Sequence, residues 1–296
     1  MTMRKILTVL FMLMIFASTS CAKEYDVFRL AEYASPSLLK NALKNGADFN
    51  VTRNITETKT RIFDYGETPL HIAAMFNTNP KSIKFLIEQG LNVNAVAGNG
   101  KDSRATPLSC ALKARNLTAV PELLKGGADT RYFTFDGLHY MSAIHYVSAV
   151  YSDDLAEARE MIGTLIEGGA DVNLHDEEGQ YGYGMGVITE ELRKAAARSV
   201  FKPRTQWKSD DPFDSWNINL SRAAVSFFAG SCTPLMYAVM YDNTDAVNIL
   251  LDFNADVKIR SLEGKTALDY ADELLPKDSS LKKSSAYKRL KRLTIK

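Results

Sequence analysis

Apolar and polar positions repeat along this chain in a two-part pattern. The first part is Thr-Pro-Leu followed by small or apolar residues, and it occurs at residues 68–70, 106–108 and 233–235. The second part is Gly or Asn, then an apolar residue, then Asp or Asn. It begins at Gly90, Gly127 and Asn254, at a nearly constant distance from the threonine of each copy. Such spacing indicates a stack of similar units rather than a globular catalytic domain.

Weaker copies extend the pattern in both directions. Residues 142–145, Ser-Ala-Ile-His, lead to Gly-Ala-Asp at 169–171. A degenerate first copy keeps only its end at 46–50, and a last copy keeps only its beginning at 266–268. Five copies with a C-terminal remnant exceed the three or so units that a stable stack needs.

Each unit is predicted to contain two short helices. The Thr68 hydroxyl can cap the first helix, and Pro69 suits the first helical position because its missing N–H would have no partner there. The second helix has an apolar face of Ile83, Leu86 and Ile87 and ends at a glycine, which tolerates a left-handed backbone. His71 and His145 occupy the same position of their units, and we interpret both as structural residues that hydrogen-bond adjacent turns.

Residues 68–74, Thr-Pro-Leu-His-Ile-Ala-Ala, and residues 169–173, Gly-Ala-Asp-Val-Asn, resemble the opening and the close of the ankyrin repeat. The resemblance covers about residues 25 to 275. It implies an all-α ankyrin-repeat solenoid of about five to six helix-pair repeats with extended finger-loop insertions. It also implies a non-catalytic protein–protein interaction module that binds a partner through its concave face and finger loops.

The longest insertion covers residues 178–231 and lies between the close of one copy and the opening of the next. In ankyrin repeats this connection is the projecting finger. Connections of this length inside a domain are usually functional or disordered. Two interpretations stay open: the aromatic residues form a small core against the stack, or several are exposed as anchors, since Trp and Tyr dominate interface hot spots. The predicted partner-binding residues are Tyr181, Tyr183, Trp207, Phe213 and Trp216.

The N-terminal segment is typical of a secretory signal. Arg4 and Lys5 precede twelve apolar residues at 6–17, and small residues follow. The segment around Cys21 resembles a bacterial lipobox, in which the cysteine is acylated, although Ser18 stands where that motif usually has Leu. Signal cleavage after Ala22 is the competing interpretation. We therefore expect an exported protein of the periplasm or cell envelope, with Cys21 as the predicted lipid attachment that associates it with a membrane.

Charge and motifs exclude several other functions. The formal net charge of +1 argues against an overall nucleic-acid binder. The glycine-rich residues 182–186 lack phosphate-loop spacing, and residues 175–178, His-Asp-Glu-Glu, favour a solvated turn over a metal site. Cys110 and Cys232 lie in copies separated by another copy, so we expect no disulfide between them. We predict no catalytic residues, no cofactor, no metal and no small-molecule substrate.

The last twenty residues carry eight basic residues and one acidic residue. They are interpreted as a charged helix that caps the stack, or as a segment attracted to anionic lipid or another acidic surface. The predicted domains are a signal peptide at 1–20, an ankyrin-repeat domain at 21–276 that includes the 178–231 insertion, and a basic C-terminal tail or capping helix at 277–296. The alternative function is an immunity or inhibitor protein, or a secreted host-directed effector, that binds one specific target.

Overall fold

A computed structural model describes eight stretches of the chain: residues 25–53, 66–98, 105–131, 134–135, 139–140, 142–151, 154–176 and 231–295. Thirteen helices lie in these stretches: α1 Val27–Tyr33, α2 Pro36–Lys44, α3 Pro69–Phe76, α4 Pro80–Glu88, α5 Pro107–Lys113, α6 Ala119–Lys125, α7 Ala143–Val150, α8 Leu155–Glu167, α9 Pro234–Met240, α10 Thr244–Asp252, α11 Ala267–Leu274, α12 Ser280–Lys283 and α13 Ser285–Ile295. Among these described helices, none has both the length and the apolar composition needed to span a bilayer.

The helices form two layers of a solenoid. The first helices of successive repeats, α1, α3, α5, α7, α9 and α11, pack on one another in chain order, and the second helices α2, α4, α6, α8 and α10 form the other layer. We number the repeats 1 to 6 by these first helices, so that α7 begins repeat 4 and α9 begins repeat 5. Helices α7 and α9 pack directly on each other, although residues 177–230 lie between these two repeats in the sequence. The predicted all-α solenoid of helix pairs is confirmed.

The finger between α6 and α7 adds a small hairpin to this architecture. Strand β1 (Thr134–Phe135) pairs antiparallel with strand β2 (His139–Tyr140), with Thr134 opposite Tyr140. Two further fingers are closed by single bridges, Arg53 to Glu67 and Ala97 to Ala105. The fingers therefore leave the stack at the same point of each repeat, between the closing turn and the next first helix.

The first repeat is more complete than the sequence predicted. Its opening lacks Thr-Pro-Leu, but Asp26 caps α1 by accepting the N–H of Arg29 at 3.0 Å. Ser35 caps α2, with Pro36 at the first helical position. Other cap residues can therefore replace the consensus opening, and the degenerate copy contributes a full helix pair.

Threonine hydroxyls cap three of the first helices. The hydroxyl oxygens of Thr106, Thr233 and Thr266 accept a backbone N–H from three residues further on, at 3.2 to 3.4 Å. The hydroxyl of Thr68 instead lies 2.8 Å from Nδ1 of His71, and this ring nitrogen also accepts the Thr68 backbone N–H at 3.2 Å. The His71 side chain thus accepts the N–H of the cap residue itself, which is the second half of a capping box.

The closing turns have the predicted left-handed backbone. Gly90, Gly127 and Gly169 have φ values of +89°, +88° and +97°, and Asn254 fills the same position of repeat 5 with φ +61°. A Cβ added at Gly169 would meet no heavy atom within 4 Å. The requirement at this position is therefore for backbone conformation and not for space.

We expect Gly169→Val to lower the free energy of unfolding by at least about 1 kcal/mol, because a β-branched residue is strained at positive φ. Gly169→Asn is the matched control, since the chain itself places Asn254 at the equivalent turn, and it should lose less than half as much. Thermal melting of the two variants and the parent measures both effects. Equal melting temperatures for all three proteins would contradict the assignment of this turn.

The C-terminal segment folds as two helices and not as one. Ser279 caps α12 by accepting the N–H of Lys282 at 3.2 Å, and the chain turns at Ser284 before α13 begins. Four apolar residues of this segment face the stack, and two of them, Leu281 and Leu290, are fully buried. The other two, Tyr287 and Leu293, pack half-buried against the core. The acidic side chain of Asp242 accepts the N–H groups at the start of α12 at 2.8 and 2.9 Å, which fastens it to repeat 5.

The first-helix face and the interactions that hold it

Buried asparagines join the first helices of neighbouring repeats. Asn77 donates from Nδ2 to the carbonyls of Ala31 and Ala34, at 3.0 and 3.1 Å. Asn116 and Asn243 repeat this arrangement one and three repeats later, each donating to two carbonyls at 2.9 to 3.0 Å. These carbonyls lie at helix C-termini, where the backbone has no partner of its own. The asparagine ladder therefore fixes the spacing of the first helices.

Repeat 4 uses a tyrosine where the other repeats use asparagine. The Tyr151 hydroxyl donates to the carbonyl of Leu112 at 2.5 Å, and burial raises the pKa of this phenol well above its usual range. The guanidinium of Arg115 lies 4.6 Å from the centre of the ring and forms an ion pair with Glu157 at 3.1 Å. The ladder is thus continuous through the repeat that precedes the long insertion.

The two equivalent histidines hold the next finger in place. Because Nδ1 of His71 accepts a backbone N–H, Nε2 carries the proton and donates to the carbonyls of Ala95 and Ala105 at 3.1 Å. His145 makes the same arrangement with Ser142 at 2.6 Å and with the Cys232 carbonyl at 2.9 Å. Burial lowers the pKa of each imidazole to about 4. The predicted structural role of both histidines is confirmed.

The ends of the long insertion are joined by Asp176. Its carboxylate accepts the backbone N–H of Cys232 and the Tyr237 hydroxyl, the latter at 2.7 Å, and its backbone N–H donates to the Cys232 carbonyl at 2.9 Å. Partial burial raises the pKa of this carboxyl to about 6. The expectation of a solvated turn was therefore wrong for Asp176, because two hydrogen-bond donors draw its carboxylate inward. Its neighbour His175 is exposed and lies 2.8 Å from the hydroxyl of Ser231.

An exposed aromatic pair lies on adjacent first helices at one end of the stack. Tyr33 and Phe76 are the last residues of α1 and α3 and are 59% and 52% exposed. The corresponding residue of repeat 5, Tyr241, is buried and stacks on Tyr237. We use the name first-helix face for five residues at the ends of α1, α3 and α5: the exposed Tyr33, Phe76, Lys113 and Ala114 and the half-buried Met75.

The position just before Phe76 and Tyr241 in each repeat also changes from exposed to buried along the stack. It is occupied by Lys113 in repeat 3, which is exposed, and by Ala149 and Met240 in repeats 4 and 5, which are 6% and 3% exposed. Within the described residues, the first-helix face is therefore open at repeats 1 to 3. Exposed aromatic side chains on a rigid scaffold are the groups that carry most binding energy at protein interfaces.

A polar groove of about 550 Å³ lies where the closing turns meet, lined by Asn94, Asp129, Arg131, Asp171, Leu174 and neighbouring glycines. Asn94 bridges two turns: it donates to the Gly127 carbonyl at 3.0 Å and accepts the Asp129 N–H at 2.8 Å. The Arg131 guanidinium beside Asp129 lowers the pKa of that carboxyl. Arg131 and Asp129 thus pair with each other, and the Asp171 carboxylate accepts the backbone N–H of Asn173 at 2.8 Å, which indicates a structural role for these charged groups.

The residues predicted to bind a partner, Tyr181, Tyr183, Trp207, Phe213 and Trp216, lie outside the described residues, as does Cys21. Cys110 and Cys232 are free thiols and both are buried. Sequence reasoning missed the asparagine ladder and the exposed aromatic pair. A signal for the ladder existed, because Asn77, Asn116 and Asn243 follow the opening threonines at nearly the same distance in each repeat.

Comparisons with known proteins agree with the repeat pattern. Family models of ankyrin repeats match residues 27–133, with three copies, and residues 229–271. A putative palmitoyltransferase ZDHHC13 of Danio rerio is 26% identical over 212 residues, which is 70% of this chain and 27% of that protein. The palmitoyltransferase Hip14 of Drosophila melanogaster is 30% identical over 121 residues, 41% of this chain and 16% of that protein. The chain thus spans about a quarter and a sixth of the length of these relatives.

Two solved structures are similar at lower identity. One is a chain in the structure of the predatory endopeptidase Bd0816 from Bdellovibrio bacteriovorus in complex with immunity protein Bd3460, with 18% identity, a TM-score of 0.46 and coverage of 91% of this chain and 98% of that chain. The other is the human ASB11 ankyrin repeat domain, with 22% identity, a TM-score of 0.42 and coverage of 90% and 98%.

Proposed function

This chain is an ankyrin-repeat protein, and we propose that it binds another protein through the first-helix face of repeats 1 to 3 and through its finger loops. The observation that supports this proposal most directly is the exposed pair Tyr33 and Phe76 on adjacent first helices. The asparagine ladder beneath the pair holds both helices rigidly, so that little conformational entropy is lost on binding.

The long insertion is proposed to add specificity. Both of its ends are attached to the stack by Asp176, His175 and the backbone of Cys232, so the segment begins and returns at one point of the finger row. Its aromatic residues, Tyr181, Tyr183, Trp207, Phe213 and Trp216, are proposed as further contacts with the same partner.

We propose that the protein has no catalytic activity of its own. Three titratable groups with strongly shifted pKa values, His71, His145 and Asp176, are engaged in hydrogen bonds that hold the repeats together. An active site needs such groups to converge on an accessible pocket. Each of these three groups instead joins a repeat to a finger or to the next repeat.

The location of the protein is proposed from the sequence of its N-terminal segment. The basic residues, the short apolar run and the lipobox-like segment at Cys21 favour export and a lipid anchor at the periplasmic or outer side of a bacterial membrane. A cysteine with two or more acyl chains would give firm anchoring. Mass spectrometry of the protein purified from its native envelope tests this through the mass of the N-terminal peptide.

The partner-binding proposal is tested by capture from the native envelope, read by mass spectrometry. We expect Tyr33→Ala combined with Phe76→Ala to lower the affinity for the captured partner by about tenfold or more, because hot-spot aromatics contribute at least about 2 kcal/mol. Leu155→Ala is the control, since this side chain is 49% exposed but begins a second helix.

A third protein, with residues 178–231 replaced by a short loop, separates the two contact surfaces. Loss of the partner from this protein alone would place binding in the insertion and overturn the first-helix assignment. Retention by both the double variant and the loop replacement would contradict the proposal altogether. A single partner retained through stringent washing would favour the inhibitor or immunity role over a scaffold.

A further inference from the structure

Charge is distributed unevenly between the repeats and the C-terminal cap. Residues 277–296 contain eight basic residues and one acidic residue, a formal net charge of +7. The remaining residues, 1–276, then carry 28 basic and 34 acidic residues, a net charge of −6. The net charge of +1 for the whole chain is therefore the sum of an acidic part, residues 1–276, and a basic C-terminal part, residues 277–296. A separation of this kind favours one orientation next to a charged surface.

Helix α13 is attached firmly by one side. Ala286 and Leu290 are fully buried, and Tyr287 donates its hydroxyl to Asp272 of α11. Arg289 donates to Asp252 at 2.6 Å, and the same carboxylate accepts a hydrogen bond from Arg159 of α8 at 2.7 Å. These contacts use the apolar side of the helix and one of its cations, and they fix which side faces outward.

The outward side of α13 is basic. Lys291 and Arg292 follow Lys288 by three and four residues, which places both next to it on one face of the helix, and all three are exposed. Lys283 at the end of α12 is also exposed. In the part of the chain that the structure describes, these four cations form no ion pair with an acidic side chain, in contrast to Arg289. We call Lys283, Lys288, Lys291 and Arg292 the basic cap.

An apolar side chain stands at the tip of the same face. Ile295 is 69% exposed and follows Arg292 by three residues and Lys291 by four. An exposed isoleucine next to cations favours a surface that offers both anionic groups and an apolar layer below them. A phospholipid bilayer has this arrangement, whereas a single-stranded nucleic acid is bound through exposed aromatic side chains that stack on its bases, and the phosphates of a duplex offer no apolar layer for Ile295.

We propose that the basic cap docks this end of the solenoid onto a membrane surface that contains anionic phospholipid, with Ile295 entering the boundary between headgroups and acyl chains. The docking is electrostatic, since each basic residue close to an anionic bilayer contributes independently and over about one Debye length. It acts at the end of the stack opposite repeat 1, and it does not depend on the first-helix face or on an acyl group at Cys21.

The proposal is tested by co-sedimentation with vesicles. The experiment uses residues 21–296, which contain the whole described fold. Cys21 is replaced by Ala so that no acyl chain contributes to binding. Vesicles contain phosphatidylcholine alone or with about one third phosphatidylglycerol. We expect binding to the anionic vesicles that weakens as salt is raised from about 0.05 to 0.5 M, and little binding to phosphatidylcholine alone.

Charge variants locate the surface. Replacing the four basic-cap residues by Gln should reduce partitioning several hundredfold, because about 1 kcal/mol per basic residue corresponds to about fivefold each. The matched control replaces four exposed lysines elsewhere, Lys40, Lys44, Lys81 and Lys258, and changes the net charge equally. Its partitioning should fall less than tenfold. Ile295→Ser should weaken binding chiefly at high salt, where the electrostatic contribution is screened.

Two outcomes would overturn the proposal. Equal losses in the basic-cap variant and in the control would show attraction by net charge without a defined surface. Binding of the basic cap to beads coated with poly-glutamate, without binding to anionic vesicles, would identify an acidic protein as the ligand class. Circular dichroism melting of each variant confirms that the exposed substitutions leave the fold intact.

Discussion

Acidification from pH 7.5 to pH 4.5 is expected to lower the free energy of unfolding by about 3 kcal/mol, and His71 and His145 are the cause. Each imidazole is fully buried, with both ring nitrogens engaged in hydrogen bonds to the cap and to the next finger. Adding a second proton would turn the accepting nitrogen Nδ1 into a donor and place a charge in the core.

The direction of the effect follows from the two pKa values of each histidine. The pKa falls from 6.5 in an exposed imidazole to about 4 in the fold. Between these values the unfolded chain binds more protons than the folded chain, so stability is complete above pH 6.5 and decreases as the pH falls toward 4. At pH 4.5 the loss is about 2.5 kcal/mol for each histidine.

Asp176 acts in the opposite direction. Its pKa rises from 3.8 to about 6 in the fold, so the folded chain binds a proton more readily than the unfolded chain between these values. Acidification through this window therefore favours the folded state, by about 2 kcal/mol at pH 4.5. The net decrease in the free energy of unfolding at pH 4.5 is therefore the sum of the two histidine contributions minus the Asp176 contribution, about 3 kcal/mol.

Urea unfolding at a series of pH values between 4.5 and 7.5 measures these contributions separately. Asp176→Asn should steepen the loss to about 5 kcal/mol, because the offsetting carboxyl is absent. His71→Gln should be less stable at every pH but should lose only about 0.5 kcal/mol on acidification, because the effect of the one remaining buried histidine is then nearly offset by that of Asp176. A parent protein whose stability does not change between pH 7.5 and 4.5 would contradict the protonation states assigned to both histidines.

Local sequence signals were sufficient for the helix pairs because each signal acts within one repeat. A threonine cap, a proline at the first helical position and a left-handed glycine are determined by neighbours within a few residues, and the structure confirms them at Thr106, Thr233 and Gly169. The role of His71 could be predicted for the same reason, since its partner Thr68 is three residues away.

Contacts between repeats were harder to predict, because they depend on how two units are placed. Tyr151 replaces the ladder asparagine by reaching a carbonyl of the preceding repeat, and no local pattern distinguishes it from an ordinary apolar residue. Asp176 was interpreted as solvated because its partners, Cys232 and Tyr237, lie on the far side of the long insertion. The exposed pair Tyr33 and Phe76 was missed because a helical pattern alone does not show which aromatic residues remain uncovered.

Asn243 joins the two parts of the stack on either side of the long insertion. It is buried, donates from Nδ2 to the carbonyls of Ser148 and Tyr151 at 2.9 Å, and accepts the N–H of Ala246 at 3.1 Å. One side chain therefore caps α10 and supplies the partners of two carbonyls at the end of α7. Residues 177–230 intervene in the sequence, so the packing of α7 on α9 depends on contacts of this kind and not on a short connection.

Asn243→Ala should lower the free energy of unfolding by about 3 kcal/mol, since the change leaves two buried carbonyls and one cap N–H without partners at about 1 to 3 kcal/mol each, partly relieved by water. Because a repeat array is coupled through its nearest-neighbour interfaces, repeats 5 and 6 should also begin to unfold separately from repeats 1 to 4.

Asn50→Ala is the control, with an exposed side chain and a single hydrogen bond of 3.4 Å between repeats, and should cost less than about 0.5 kcal/mol. Hydrogen exchange of the two variants, combined with urea unfolding, distinguishes the effects: protection should fall across residues 234–295 in Asn243→Ala before it falls in residues 27–131. A uniform loss of protection along the chain would contradict this expectation. It would mean that the stack unfolds as one cooperative unit despite the insertion, and that the apolar contact of α7 with α9, rather than Asn243, holds its two parts together.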